Sequence, residues 1–235
     1  MAARPQLLVV LTSQSVLPRN GQKTGWYLPE LVHPYNQLSP HFDIVTASPF
    51  GGEAPIDPFS IDDTKDDKEC QEFLETKGEV WKSTKKLESF LGRSSEFVGI
   101  FYVGGHGPMF DLAHNAVSHQ LIREFYAATK VVSAVCHGPA ALVNVKLEDG
   151  SYLIAGQEVT GFSNAEEDAY NFTKLMPFLL EDEMKRNGAV YQKADAPFGV
   201  KTVVSGRDGN LVTGQNPPIA GVIGKVLVEI LQKRA

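Results

Sequence analysis

Residues 131–143, VVSAVCHGPAALV, admit few folds. Val131-Val132-Ser133-Ala134-Val135 has the β-branched, apolar character of a buried strand. Pro139-Ala140-Ala141-Leu142-Val143 reads as the start of a helix, with proline near its first position. Only Cys136, His137 and Gly138 separate the two. A strand that turns at once into a helix belongs to an alternating architecture, in which the helix packs back on the sheet it has just left. The turn also pushes one side chain out at the top of the sheet, the geometry of a nucleophile elbow. The Cys136 sulfur is then expected near free N–H groups at a helix start, which favour a thiolate. The next amide points into the same space, where it can donate to an oxyanion.

The remaining apolar runs extend this pattern. Residues 7–11, 44–47, 98–103, 131–135 and the shorter 158–160 read as buried strands. None alternates strictly, which suits a parallel sheet covered on both faces. Helical spacing appears in 115–130, 175–186 and 220–233, with Gly188 placed to end the second. Residues 200–205 and 211–213 flank Gly206-Arg207-Asp208-Gly209-Asn210 and predict a hairpin. Segment 57–96 is the most charged, and its run 62–69 reads as a solvated loop leading into a surface helix. No linker divides the 235 residues. The expected fold is a single α/β domain, 1–235, of the flavodoxin-like type: a mostly parallel sheet with helices on both faces.

Composition supports a substantial core, with 43% hydrophobic and 21% charged residues. The formal net charge of −6 argues against nucleic acid or an anionic membrane as a partner. No apolar run approaches the ~20 residues of a membrane span. Met1-Ala2-Ala3 and the residues after them lead into a strand pattern rather than a signal peptide. Two cysteines exclude a disulfide framework and predict a reducing, cytoplasmic setting, with the nucleus as an alternative.

A free cysteine is ordinarily a small buried hydrophobe. The elbow and the adjacent His137 change that reading for Cys136. A second turn, Phe101 to Pro108, ends a strand in Gly104-Gly105-His106-Gly107. Its glycines let backbone amides approach a ligand closely, so Gly105 and His106 are candidates for substrate and oxyanion contacts. His106 reads equally as a structural hydrogen bonder, and Trp26 equally as a pocket-mouth residue or a packed aromatic. Asn164 and Asn216 are pocket groups or turn residues, and Pro217-Pro218 favours the turn for Asn216. Cys70 lies in a polar setting and reads as incidental. His33, His41, His114 and His119 show no metal-ligand spacing, and no nucleotide-binding loop is present.

These motifs together resemble the DJ-1/PfpI superfamily. The resemblance rests on Thr24-Gly25 followed by Glu30, on Gly104 to Gly107, and on Ala134-Val135-Cys136-His137-Gly138-Pro139. It continues through Thr160-Gly161-Phe162-Ser163-Asn164-Ala165-Glu166-Glu167 and Leu211 to Pro217, in the family's order. Length and Glu30 to Tyr35 are similar to the Hsp31-like branch, whose fungal members act as glutathione-independent glyoxalases. The resemblance implies Cys136 as nucleophile, His137 beside it and Glu167 as the acid that orients His137. One residue of slip would give that part to Glu166; the other member of the doublet is expected to face solvent as helix N-terminal charge. It places the Glu30 carboxyl near the thiol, whereas the residues alone suggest an exposed helix glutamate with Pro29 and Pro34 able to kink its helix. It implies conversion of methylglyoxal-type 2-oxoaldehydes to 2-hydroxy acids such as lactate, without cofactor or metal. It also implies a homodimer. Alternatives are a stress chaperone holding unfolded clients, a redox-sensing cysteine protein, and a peptidase or amidase.

Overall fold

A computed structural model describes residues 4–234. Met1 to Ala3, part of the stretch read against a signal peptide, lie outside the described residues. Four strands form where expected: β1 (Gln6–Val10), β2 (Asp43–Ser48), β4 (Phe97–Tyr102) and β5 (Val131–Val135), with a two-residue β3 (Lys85–Lys86) at the edge. The sheet has seven strands in the order β3-β2-β1-β4-β5-β9-β8, all parallel except β8 (Thr202–Ser205) against β9 (Leu211–Gly214). Every residue of β4 and β5 is buried, as strands covered on both faces must be.

Two expectations need correction. The run at 158–160 forms β6 (Glu158–Val159), which pairs with β7 (Val190–Tyr191) in a separate two-stranded sheet. Its place beside β5 goes to β9, so the expected hairpin completes the main sheet. A two-residue strand carries too few ladder bonds to compete with the apolar β9. The pattern at 175–186 becomes helical only from Leu180. Pro177 lies inside it and disfavours helical backbone at the preceding residue.

Among the described residues, ten α-helices surround the sheets. They are α1 (Leu28–Leu38), α2 (Pro58–Asp63), α3 (Lys68–Thr76), α4 (Glu79–Lys82), α5 (Pro108–Asp111), α6 (Ala116–Ala127), α7 (Ala140–Val143), α8 (Asn164–Ala169), α9 (Leu180–Arg186) and α10 (Ala220–Gln232). Helix α1 packs on α10, and both α6 and α10 reach β5. The charged run 62–69 is only partly loop: Asp62 and Asp63 end α2, and Asp67 caps α3 by accepting the Glu69 and Cys70 amides. Pro29 sits in the first turn of α1, where it is favourable, and Pro34 lies inside a helix that runs on to Leu38. The structure decides one aromatic left open and places one thiol: Trp26 is a packed aromatic, and Cys70 lies in the core. Trp26 is fully buried, with its indole N–H on the Ala54 carbonyl and its ring 6.1 Å from Trp81. Cys70 is fully buried, because its polar sequence neighbours turn outward from α3.

Candidate active site

The turn after β5 is a strained elbow. Cys136 has φ +59, a left-handed conformation that costs a non-glycine residue on the order of 1 kcal/mol or more. The surroundings hold it there. The Cys136 amide donates to the Gly214 carbonyl at 3.0 Å, and the Phe162 amide donates to the Cys136 carbonyl at 2.9 Å. The following Gly138 amide returns to Val135 at 2.7 Å. Helix α7 starts only at Ala140 and has four residues, so it brings little dipole to the sulfur.

The sequence-predicted residues converge here. His137 Nδ1 lies 3.4 Å from the Cys136 sulfur. On its other side, His137 Nε2 is 2.6 Å from Glu167 Oε2. This pairing fixes the tautomer: the ionised Glu167 accepts a hydrogen bond from Nε2–H, leaving Nδ1 unprotonated and free to accept the thiol proton. Burial works against the Glu167 charge. The His137 imidazole and the hydrogen bonds from His106 and His137 outweigh it, holding the carboxyl well below its usual range. Burial pushes His137 down, against the pull of Glu167, so the resting ring is neutral.

Both members of the acidic doublet are buried, contrary to the expectation that one faces solvent. Glu167 takes the imidazole. Glu166 closes the capping box of α8, accepting the Ser163 amide at 2.8 Å and hydroxyl at 2.7 Å. It also receives the Phe198 amide (2.8 Å), Gln215 Nε2 (3.0 Å) and Asn216 Nδ2 (2.7 Å). Asn216 is therefore more than a turn residue: it helps seat a buried carboxylate. Asn164 instead bonds Asp182 at the surface.

Glu30 is fully buried against the elbow rather than exposed. A Cβ added at Gly104 would stand 2.4 Å from Glu30 Oε2 and 2.7 Å from the Cys136 Cβ, so only glycine lets the three meet. Neither Glu30 oxygen has a well-formed hydrogen bond. Burial drives its pKa far up, and the thiol and the Gly104 amide offset this only in part. Burial and the neighbouring Glu30 likewise raise the Cys136 thiol well above its ordinary range, while the Gly105 N–H, aimed at the sulfur, lowers it. The elbow thus rests as a protonated thiol, not the thiolate that a helix start would favour.

Gly105 suits a donor position: its φ is +91, and a Cβ would meet the Gly25 carbonyl at 2.3 Å. The His106 ring is held by two neighbours. Its Nε2 is 3.1 Å from Glu167 Oε1, and its face stacks on Phe172 at 4.4 Å. Glu167 therefore bridges two histidines whose rings are 4.5 Å apart.

Aromatic residues that the sequence reading passed over enclose these groups. The Phe162 ring lies 4.4 Å from His137 and stacks on Tyr170, and Phe198 closes on Tyr170 at 5.2 Å. Cys136 is only 3% exposed. The crowding of aromatics in 162–172, directly after the acid-bearing motif, is the available sequence signal for this wall.

An elbow cysteine with a histidine base on a mostly parallel α/β sheet defines a class of cysteine-centred α/β proteins. Residues 67–229 match the model of the DJ-1/PfpI family, and the chain belongs to that family. It is similar to glyoxalase 3 of Candida albicans, 29% identical with 92% of this chain and 93% of that one covered. The crystal structure of that organism's glyoxalase III superposes with TM-score 0.84 over 96% of both chains, at 28% identity. The glutathione-independent glyoxalase hsp3102 of Schizosaccharomyces pombe is 29% identical over 96% of each chain. The Rapid Encystment Protein 24 kDa of Francisella tularensis superposes with TM-score 0.83 and 34% identity, over 97% of this chain and 99% of that one.

Proposed function

We propose that this protein is a glutathione-independent glyoxalase, a lyase converting methylglyoxal-type 2-oxoaldehydes to 2-hydroxy acids. The observation that carries the reading is the Cys136 sulfur set between His137 Nδ1 at 3.4 Å, itself anchored on Glu167, and the buried Glu30 carboxyl. Two opposed acid–base groups on one nucleophile suit a reaction that must move a proton between adjacent carbons. The names of the fungal relatives support the same substrate class. In this reading the whole chain, 1–235, serves one site.

The steps follow from the groups present. His137 takes the thiol proton as the sulfur adds to the aldehyde carbon C1, and Glu167 stabilises the imidazolium. The carbonyl electron pair moves to oxygen, which the Gly105 and His137 amides receive and the Glu30 acid protonates, giving a hemithioacetal. The Glu30 carboxylate then removes the C1 proton while His137 protonates the C2 oxygen, forming an enediol. The C1 hydroxyl proton returns to His137 and Glu30 protonates C2, leaving a thioester. Water hydrolyses it: Glu30 takes the water proton, His137 protonates the departing sulfur, and every group is restored. C1 is oxidised as C2 is reduced, so the stoichiometry needs no external hydride carrier.

The direct test incubates the purified protein with methylglyoxal in the absence of glutathione and assays lactate. No lactate above a Cys136→Ser control would sink the reading. A homodimer, a cytoplasmic location and a holding role towards unfolded clients belong to the same proposal through the family resemblance. Sedimentation velocity, cell fractionation and a client-aggregation assay test them.

A further inference from the structure

Helices α1 and α3 pack together, and their contact carries a second cluster of chemically reactive side chains. His33 comes from α1, Asp67 caps α3, and Cys70 follows in its first turn. One donor atom from each lies within 4.8 Å of the other two. The spacing of the histidines alone gave no sign of this, because the partners of His33 come from a distant charged stretch.

The orientation of each group is specific. His33 Nε2 is 3.0 Å from Asp67 Oδ2. The opposite ring nitrogen, Nδ1, faces Glu69 Oε2 at 3.5 Å, and that oxygen accepts from Asn36 Nδ2 at 2.8 Å. Asp67 is divided in the same way. Its Oδ1 takes the Glu69 and Cys70 amides at 3.0 and 3.2 Å, leaving Oδ2 turned to the imidazole. Cys70 is buried, while the His33 and Asp67 side chains are 25% and 29% exposed, so the cluster is closed on one side and open to solvent on the other.

We propose that His33 Nε2, Asp67 Oδ2 and Cys70 Sγ bind a divalent cation of the zinc class, with solvent in the fourth position. The mixed nitrogen, oxygen and sulfur set suits a borderline-soft tetrahedral ion; calcium and magnesium require oxygen ligands throughout. Tetrahedral ligands around zinc stand about 3.5 Å apart; Nε2 and Oδ2, at 3.0 Å, are already near that spacing, and no donor pair exceeds 4.8 Å, so adjustments of about an ångström suffice. Glu69, steadied by Asn36, supplies the outer carboxylate that orients a metal-bound imidazole. A simple ion pair accounts for His33 and Asp67. It accounts neither for a buried thiol at the same point nor for a carboxylate behind the opposite nitrogen. On binding, the Cys70 proton leaves to solvent and a sulfur lone pair goes to the metal. His33 lies one turn beyond Glu30, so the ion ties the helix that bears Glu30 to α3. The inference does not depend on the chemistry assigned to Cys136.

The test uses the full chain with Cys136→Ala, in which Cys70 is the only thiol. After treatment with a chelator, Co²⁺ is titrated as the probe. The expected result is a cobalt–thiolate charge-transfer band that saturates at one equivalent, with the intense visible bands of four-coordinate cobalt, all bleached by Zn²⁺. Adding Cys70→Ser should remove the charge-transfer band. Asp67→Asn, which retains a helix cap, and His33→Gln should each weaken cobalt binding by at least about tenfold. Zinc should raise Tm in the Cys136→Ala chain and raise it clearly less when His33→Gln is added. A folded protein with no charge-transfer band at stoichiometric cobalt overturns the site. So does a band that survives Cys70→Ser or ignores His33→Gln. If Cys70→Ser fails to fold, the partly exposed His33→Gln decides alone.

Discussion

The two thiols of this chain are alike in burial and different in everything that makes chemistry. Burial and Asp67 push Cys70 up to about 12, and burial and Glu30 raise Cys136 well above its ordinary range. Yet Cys70 sits in a regular helix, whereas Cys136 is held at φ +59 with an imidazole nitrogen 3.4 Å away. On the mechanism proposed above, the lesson is that a resting thiolate is not what separates a nucleophile from a packed sulfur. The difference lies in a strained backbone that aims the sulfur and a base whose charged form is stabilised in advance by Glu167.

The sharpest way to break this contrast is Cys136→Ser. We expect turnover to fall by about a thousandfold or more, because a neutral hydroxyl is a poor nucleophile and a triad acts as a unit. Serine at Cys70 should act first on Tm. Steady-state kinetics and thermal melts on both variants decide it, and similar kinetic losses in the two would erase the distinction.

Glu30→Gln should split reactivity from catalysis. With a group that cannot transfer protons, turnover is expected to fall about a hundredfold. With no carboxyl left that can ionise beside the sulfur and oppose its thiolate, alkylation of Cys136 should accelerate at alkaline pH. Parallel losses in both assays would mean that Glu30 only supports packing.

Glu167→Gln should lower turnover at least about tenfold, a change of ~1.4 kcal/mol in barrier, by upsetting the tautomer of His137. Glu166→Gln has a different signature, because the side chain seats α8 and the Phe198 segment rather than the imidazole. Losing a charged acceptor of several donors should cost about 2 kcal/mol, a drop of roughly 4–8 °C in Tm. A kinetic collapse at Glu166 with an unchanged melt would reverse the two assignments.

The smallest effect concerns pH. The raised pKa of Cys136 means that its thiolate fraction keeps growing with pH beyond the ordinary thiol value of about 8.5. Its alkylation rate should therefore still be climbing at pH 9, and a plateau near neutrality would restore the helix-activated thiolate.

The elbow, four central strands and the Cys136–His137–Glu167 set could be read from the chain because each is a local pattern: an apolar run meeting a turn, or a motif in fixed order. What escaped the reading depended on distant contacts. Glu166 looked like solvent-facing charge until Gln215 and Asn216 arrived to satisfy it. His106 read equally as a substrate contact or a structural hydrogen bonder, because its partner Glu167 lies far away in the sequence. Cys70 looked incidental because its sequence neighbours are charged, although helical periodicity turns the thiol inward. Residues 158–160 read as a core strand until the more apolar β9 took the place beside β5.

That last exchange bears on how the molecule is made. The carbonyl that clamps the Cys136 amide belongs to Gly214, near the end of the chain. A polypeptide emerging from the ribosome presents β1 to β5 and Phe162 before β9 exists, so its Cys136 amide lacks the acceptor that completes the clamp. The complete clamp is thus expected only late in synthesis. In refolding followed by pulsed hydrogen exchange, protection of the Cys136 amide should appear together with that of β9. Protection arriving earlier, with β4 and the rest of β5, would refute this order of assembly.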